Sequence, residues 1–361
     1  SATTAIQYAD AVYLNGDIHT SDDSQPKVSA VAISGNQFIY TGEDAAPYIG
    51  PKTQVYDLNN RTVIPGIIDA HSHPGFVAGS GQQLLLEEAT TKDELLAAIA
   101  KLVADNPDQE ILSAGYWHND IFGPNGPHKA DLDAIEPNRP LIVLDDWAHT
   151  LWANSAALEQ AGVTKDTPDP VPGFAFYQKD DKGEPTGWIT ESAASDFQNH
   201  FKTMDAETEA SLLDYLNYYR DLGVTTVLDA GNFGKDREVL EAVSRMDKAG
   251  TLPVRYHGSY TLFLPRDLDA AVATLKELGE EFNSDKVSVD TLKVFFDGVM
   301  ETRTAAMSYD YLDTLGNDGE ALLSREQVHQ LVLDLNAAGL NLHAHSVGDR
   351  ATTILLDGIA D

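Results

Sequence analysis

The chain has 361 residues, 42% hydrophobic and 22% charged, a composition that suits a folded protein with a large core and excludes wholesale disorder. Acidic residues outnumber basic ones 57 to 24, and the formal charge of -33 repels nucleic acid and anionic membrane alike. Cysteine is absent, so disulfides and thiolate ligands are excluded and any metal falls to His, carboxylate or a modified lysine.

The acidity fits a salty habitat, where screening relieves self-repulsion, and equally an acidic mesophilic protein. No stretch approaches a transmembrane span. The chain begins Ser1-Ala2-Thr3-Thr4 without Met, consistent with a removed export signal or a trimmed expression tag. A soluble protein is expected, with the periplasm or exterior slightly favoured over the cytoplasm.

Residues 8 to 64 read as short strands at Ala11 to Leu14, Asp17 to Thr20, Lys27 to Ser34, Gln37 to Thr41 and Gln54 to Leu58, with turns at Asn15-Gly16 and Gly35-Asn36. From residue 63 the pattern changes to strands alternating with helices. The apolar run Val63 to Ile68 leads into His71-Ser72-His73, an i,i+2 pair whose imidazoles leave one face of an extended chain. Neutral imidazoles so placed can reach one cation, and zinc is the commonest acceptor.

The segment 78 to 205 is too long for an ordinary connection. It carries a helix near Asp93 to Ala104, strand-like runs at Glu110 to Ala114 and Leu141 to Asp145, a helix near Ser155 to Gln160, and a rigid loop at Pro168, Pro170, Pro172 and Gly173. It reads as an insertion covering the catalytic end of the fold. Further strands are expected at Val224 to Leu228, Leu252 to His257, Thr291 to Phe296 and Leu340 to His345. Between them, the spacing of Leu212, Leu216, Tyr219 and Leu222, of Val239, Leu240, Val243 and Met246, and of Leu268, Val272, Leu275 and Leu278 predicts helices. Ser324 and Gln327 form a capping-box signature for a fourth, ended by Gly339. Such alternation implies a parallel sheet, as a barrel or a doubly wound fold.

Polar residues gather at the strand ends: Asp229, then Arg255 and His257, then a second pair, His343-Ala344-His345. Lys293 stands inside an apolar strand, where a lone ammonium is costly. It must pair with a carboxylate, be neutralised, or be changed, for instance to a carbamate whose oxygens can bridge two cations.

These stretches together resemble the metal-dependent amidohydrolase superfamily, in the family 3 branch related to N-substituted formamide deformylase. The likeness runs from Ala9-Asp10 through Asn15-Gly16, Pro65 through His73, Ala148-His149 through Leu158, and Gly183 through Glu191, to Leu292-Lys293 through Gly298, Arg303-Thr304-Ala305 and His343 through Ala351. It implies a deformed (β/α)8 barrel, a TIM-like fold, beside a small β-sandwich-like domain. Residues 1–64 would begin the small domain and 65–361 the barrel, with 78–205 inserted after the first barrel strand. It places His71 and His73 on the first strand, Asp229 and His257 at or near the ends of the second and third, Lys293 on the fourth and His345 on the fifth. A further ligand histidine is implied on the sixth strand and a catalytic aspartate on the eighth. With five strands visible, the chain is expected to require a missing C-terminal remainder.

The site so implied holds a divalent metal, zinc by default, as one or two ions on His71, His73, Lys293 and His345. Manganese, iron, cobalt and nickel suit the same donors, and a mononuclear site with unmodified Lys293 stays open. Lys293 would be carbamylated. His149 is a substrate or catalytic group or else a structural histidine. Glu191 is a catalytic or supporting carboxylate, or else one stabilised by helix N-terminal amides. Trp117, Phe296, Met300 and Arg303 are candidate substrate contacts, and Asp297 orients Arg303 or nearby loop groups. His343 is read as the companion of His345, facing away or inward. The expected activity is hydrolysis of a C–N bond in a small N-substituted amide or formamide. A cyclic amide or ester hydrolase is the near alternative and a non-catalytic binding protein the distant one. No nucleic acid or membrane partner is expected, and a homodimer is left open.

Overall fold

Ser29 divides what reads as one strand into two. A computed structural model describes residues 7–80, 83–86, 88–202 and 204–360, so Ser1 to Thr4 lie outside the described residues. Lys27–Val28 joins a three-stranded sheet with Asp17–His19 and Thr62–Val63. Ala30–Ser34 enters a four-stranded sheet, between Gln37–Gly42 and Ala11–Leu14, with Gln54–Asp57 at the far edge. Each sheet buries one apolar face, around Val12, Ala30 and Ala32 in the larger and around Ile18, Val28 and Val31 in the smaller. These strands belong to a compact unit spanning Ser1–Ile67.

The second unit, Ile68–Asp361, contains an open half-barrel of five parallel strands. In sheet order these are Ile67–Ser72, Val224–Asp229, Arg255–Leu262, Val287–Phe295 and Asn341–His345, here the first to fifth barrel strands. The helices Ala206–Asp221, Asp236–Lys248, Leu268–Phe282 and Arg325–Ala338 precede or separate them as the periodicity predicts. Their buried stripes, among them Leu212, Leu240, Val243, Leu275 and Leu331, share one core with Val227, Tyr256, Leu292, Val294 and Phe296 of the strands. Each such side chain stabilises the fold by about 1.5–3 kcal/mol. The Arg325–Ala338 helix carries the anticipated capping box between Ser324 and Gln327, and Gly339 ends it in the left-handed region at φ 68°.

The third barrel strand departs from expectation. It begins at Arg255 and runs through a register shift at Gly258/Ser259 to Leu262. His257, expected at or near the end of this strand, is therefore near its start, because the strand continues through the irregularity at Gly258/Ser259.

The insertion is a mixed six-stranded sheet with a core of its own. Its strand order is Tyr177–Lys179, Pro185–Thr190, Thr150–Ala153, Leu141–Asp145, Leu112–Trp117, Leu84–Leu85. Trp117, Trp152 and Trp188 pack there with Ile99, Leu132 and Leu141. The Thr150–Ala153 and Pro185–Thr190 strands escape the sequence reading because every residue in them is buried, leaving no alternation to detect.

Asp297 ties the loop after the fourth strand to the end of the fifth. Its carboxylate accepts from the backbone N–H groups of Ala306 (3.0 Å), Val347 (2.9 Å) and Gly348 (2.8 Å). It orients loop backbone and not Arg303, which pairs with Asp313. Asp297→Ala leaves three donors unpaired and is expected to destabilise by about 3 kcal/mol or more. Ser324→Ala, which removes one cap, is expected to cost about 1 kcal/mol. Urea midpoints at unchanged slope measure both.

Candidate active site

Lys293 decides the arrangement. It is fully buried, and its neighbours in register are Thr261 on the third strand and His343 on the fifth. Among the described residues its Nζ has no hydrogen-bond partner and lies 4.8 Å from the centre of the Phe295 ring. Burial pushes its pKa down to about 8, against the opposing pull of Asp229. Asp229 does not bond to the ammonium. It is itself buried and accepts from Tyr256, Asn232 and the Gly231 N–H.

The first His-x-His pair stands beside this lysine. His73 Nδ1 donates to the Gly231 carbonyl at 2.8 Å, which leaves Nε2 as its free nitrogen. Gly231 has φ 112°, and a Cβ there would collide with Thr261 and crowd Lys293, so no other residue fits. His71 Nδ1 lies 3.2 Å from His343 Nε2, and the rings of His71 and His73 are 5.3 Å apart. His343, read only as a companion of His345, thus joins the first pair. The signal was its i,i+2 spacing from His345, which puts both on one face of the strand.

His345 lies beyond the Phe295 ring, at 5.7 Å, and its own ring faces that of His149 at 5.2 Å. Its Nε2 donates to the Gly298 carbonyl at 3.1 Å. His149 Nδ1 bonds to Glu191 at 2.6 Å, and Thr304 donates to the other Glu191 oxygen at 2.6 Å. Glu191 is the first residue of the Glu191–Asn199 helix and is buried, so it is both a helix N-terminal carboxylate and a partner of His149.

The histidines fall into two electrostatic classes. Burial and the Lys293 charge hold His71 and His343 low, the latter at about 4, and burial holds His345 at about 4 and lowers His73. These rings are neutral at pH 7, the form that binds metals. Burial opposes charge on His149 too, but Glu191 outweighs it and raises that pKa. The donors are chemically suited to a divalent cation. Among the described residues, however, no three of His, Asp and Glu form a ready cluster, and the unpartnered Lys293 amine lies in their midst.

Other candidates lie elsewhere. Trp117 is 1% exposed, with its indole N–H on the Val143 carbonyl, and Phe296 is wholly buried under the helices. Strand alternation explains Phe296, since Lys293 and Phe295 share one face and Phe296 the other. Phe295 is the residue that touches the site, stacked at 5.1 Å on Phe233, which packs on His73. Met300 and Arg303 line a cavity of about 210 Å3 with Asn119, Tyr311 and Asp313, whose lining includes none of the histidines.

Comparison with known proteins decides the family. A profile described as "Amidohydrolase family" matches residues 54–361. The chain belongs to the amidohydrolase family. It is 33% identical to the exoenzymes regulatory protein AepA of Pectobacterium carotovorum, over 99% of this chain and 78% of that one. It is 28% identical to the N-substituted formamide deformylase of Arthrobacter pascens, over 97% and 66%. An uncharacterised metal-dependent hydrolase from Pyrococcus horikoshii shares the fold, with a TM-score of 0.65 at 23% identity over 97% of this chain and 68% of that one.

The expected dependence on a missing C-terminal remainder is corrected to what the comparison shows: the AepA alignment takes in 99% of this chain and 78% of AepA. The apolar faces of the central strands are covered by this chain's own helices, while Ile67 and Ile68 of the first strand are exposed. Among the described residues no helix is long and apolar enough to cross a membrane.

Glu191→Gln should lower the His149 pKa in metal-free protein, measured by NMR titration of the imidazole protons. The pair's contribution to stability is full below the unfolded histidine value of about 6.5 and is lost as pH rises through the raised folded value. The variant should therefore lose stability chiefly at low pH.

Proposed function

We propose that this protein hydrolyses the C–N bond of a small N-substituted amide or formamide at the open end of its half-barrel. The carrying observation is that His71, His73 and His343 gather beside one buried lysine that has no hydrogen-bond partner among the described residues, with His345 across the Phe295 ring. His71, His73, Lys293 and His345 would hold one or two divalent ions, zinc by default, and the position of His343 beside His71 adds it to the set. A bound divalent cation supplies Lewis-acid polarisation of the scissile carbonyl and lowers the pKa of water. Lys293 as a carbamate would exchange an unneutralised ammonium for two ligating oxygens. Its pKa near 8 keeps part of the amine free to react with carbon dioxide at neutral pH.

Water adds to the carbonyl carbon, the C–N bond breaks, and the leaving nitrogen takes a proton. His149 is the proposed donor, because Glu191 holds its Nδ1 and leaves Nε2 free for the leaving group. Glu191 acts through His149 and is a positioning residue. The likeness to N-substituted formamide deformylase supports the formamide substrate.

His71→Ala or His73→Ala should abolish hydrolysis and metal retention without unfolding the protein. Elemental analysis after metal supplementation and a panel of formamides, N-acyl amines, cyclic amides and esters scored by amine release test this. Metal below about half an ion per chain, or ligands bound without turnover, would sink the reading. Protein equilibrated with 13C-bicarbonate should show a carbamate carbon resonance that Lys293→Arg removes. Its absence in metal-loaded protein would favour the mononuclear site.

A further inference from the structure

Phe233, which packs on His73, also lines a small cavity of about 50 Å3. Gly75, Phe76, Gln198, Lys202 and Asn232 form other parts of its wall. Two of these polar side chains are spare. Among the described residues, Gln198, 7% exposed, has no partner for its Nε2, and Asn232, 6% exposed, has none for its Oδ1. Asn232 already uses its Nδ2 on Asp229 and its backbone N–H on Asp236, so Oδ1 is the group left over. Lys202 adds an ammonium that lies 5.5 Å from the Phe76 ring centre. It makes no ion pair with a described carboxylate, and burial lowers its pKa to about 8.

Local structure puts these groups together. Ser195, Gln198, Asn199 and Lys202 recur at i, i+3, i+4 and i+7, one face of the Glu191–Asn199 helix and the turn after it. A buried donor without an acceptor carries a desolvation cost that packing does not return. Two donors in the wall of one cavity, one of them charged, call for an anion with two acceptor oxygens.

We propose that this cavity binds a small carboxylate of roughly one to three carbon atoms, a size set by space for about four waters. One oxygen would take the Lys202 ammonium and the other the Gln198 amide, with Phe76 and Phe233 against the apolar end. Asn232 Oδ1 is left to accept from a bound water or a ligand hydroxyl. Hydrolysis of a small amide or formamide releases an acid of this class, and Phe233 borders both the cavity and His73. Assigning the ligand to the released acid rests on the hydrolase reading; binding itself does not.

Calorimetric titration with sodium formate and sodium acetate tests the site, with inorganic phosphate as the competing anion. The His71→Ala/His73→Ala protein is titrated alongside, because carboxylates also bind metals. Both carboxylates should bind wild type and this variant equally. Lys202→Met and Gln198→Leu should each weaken binding by roughly tenfold or more, while Lys202→Arg retains it. Circular dichroism checks folding, and if Lys202→Met fails to fold, Gln198→Leu and Lys202→Arg carry the test. The proposal is overturned by an absence of saturable binding, by full affinity in Gln198→Leu and Lys202→Met, by loss of binding in the histidine variant, or by preference for phosphate. A protein that binds formate at Lys202 but turns over nothing in the hydrolysis panel would fail the hydrolase reading alone.

Discussion

A lysine buried without a partner in the wall of a half-barrel is the constraint to which the surrounding chemistry answers. Lys293 is wholly buried, and what faces it is a phenylalanine ring rather than a carboxylate. Its charge helps to keep His71, His73, His343 and His345 neutral. Thr261, and less tightly the Lys293 stem, leave room only for glycine at Gly231, whose carbonyl then fixes the His73 ring. Burial, reinforced by this one unsatisfied cation, thus keeps the neighbouring imidazoles neutral.

The insertion serves the half-barrel in a way that its length alone does not reveal. Its tryptophans Trp117, Trp152 and Trp188 belong to a core of the insertion's own. That core makes a platform from which His149 and Glu191 reach His345 and Thr304. Non-glycine residues with positive φ occur beside the site: Ala148 (59°) and Glu191 (52°) of the insertion and Phe233 (52°) after the second barrel strand. Such conformations cost energy and persist where the surroundings over-determine them, a pattern associated with functional sites.

Much of the scaffold was legible because it rests on local rules. The capping box at Ser324 and Gln327, the glycine stop at Gly339 and the helix over Ser155–Gln160 involve neighbours in sequence, and they stand where expected. The misreadings arise where several strands pack at once. Fully buried strands lose the alternation that would identify them, and a bulge at Gly258/Ser259 carried the third strand past its apparent end. Alternation from Lys293 puts Phe295, and not the candidate contact Phe296, on the face of the site.

The sequence by itself determined the family, the alternating strand–helix grammar and the residue types that carry chemistry, because motif spacing and hydrophobic period are properties of short stretches. Only the tertiary structure decided which of those residues meet. His71 and His343 are 272 positions apart and stand 3.2 Å apart in space, while His345 is drawn to His149 of the insertion. Partnerships of that kind depend on strand register and on which groups packing leaves unsatisfied. Both are set by the whole sheet closing around a charge it does not neutralise, and neither is written in any local stretch of chain.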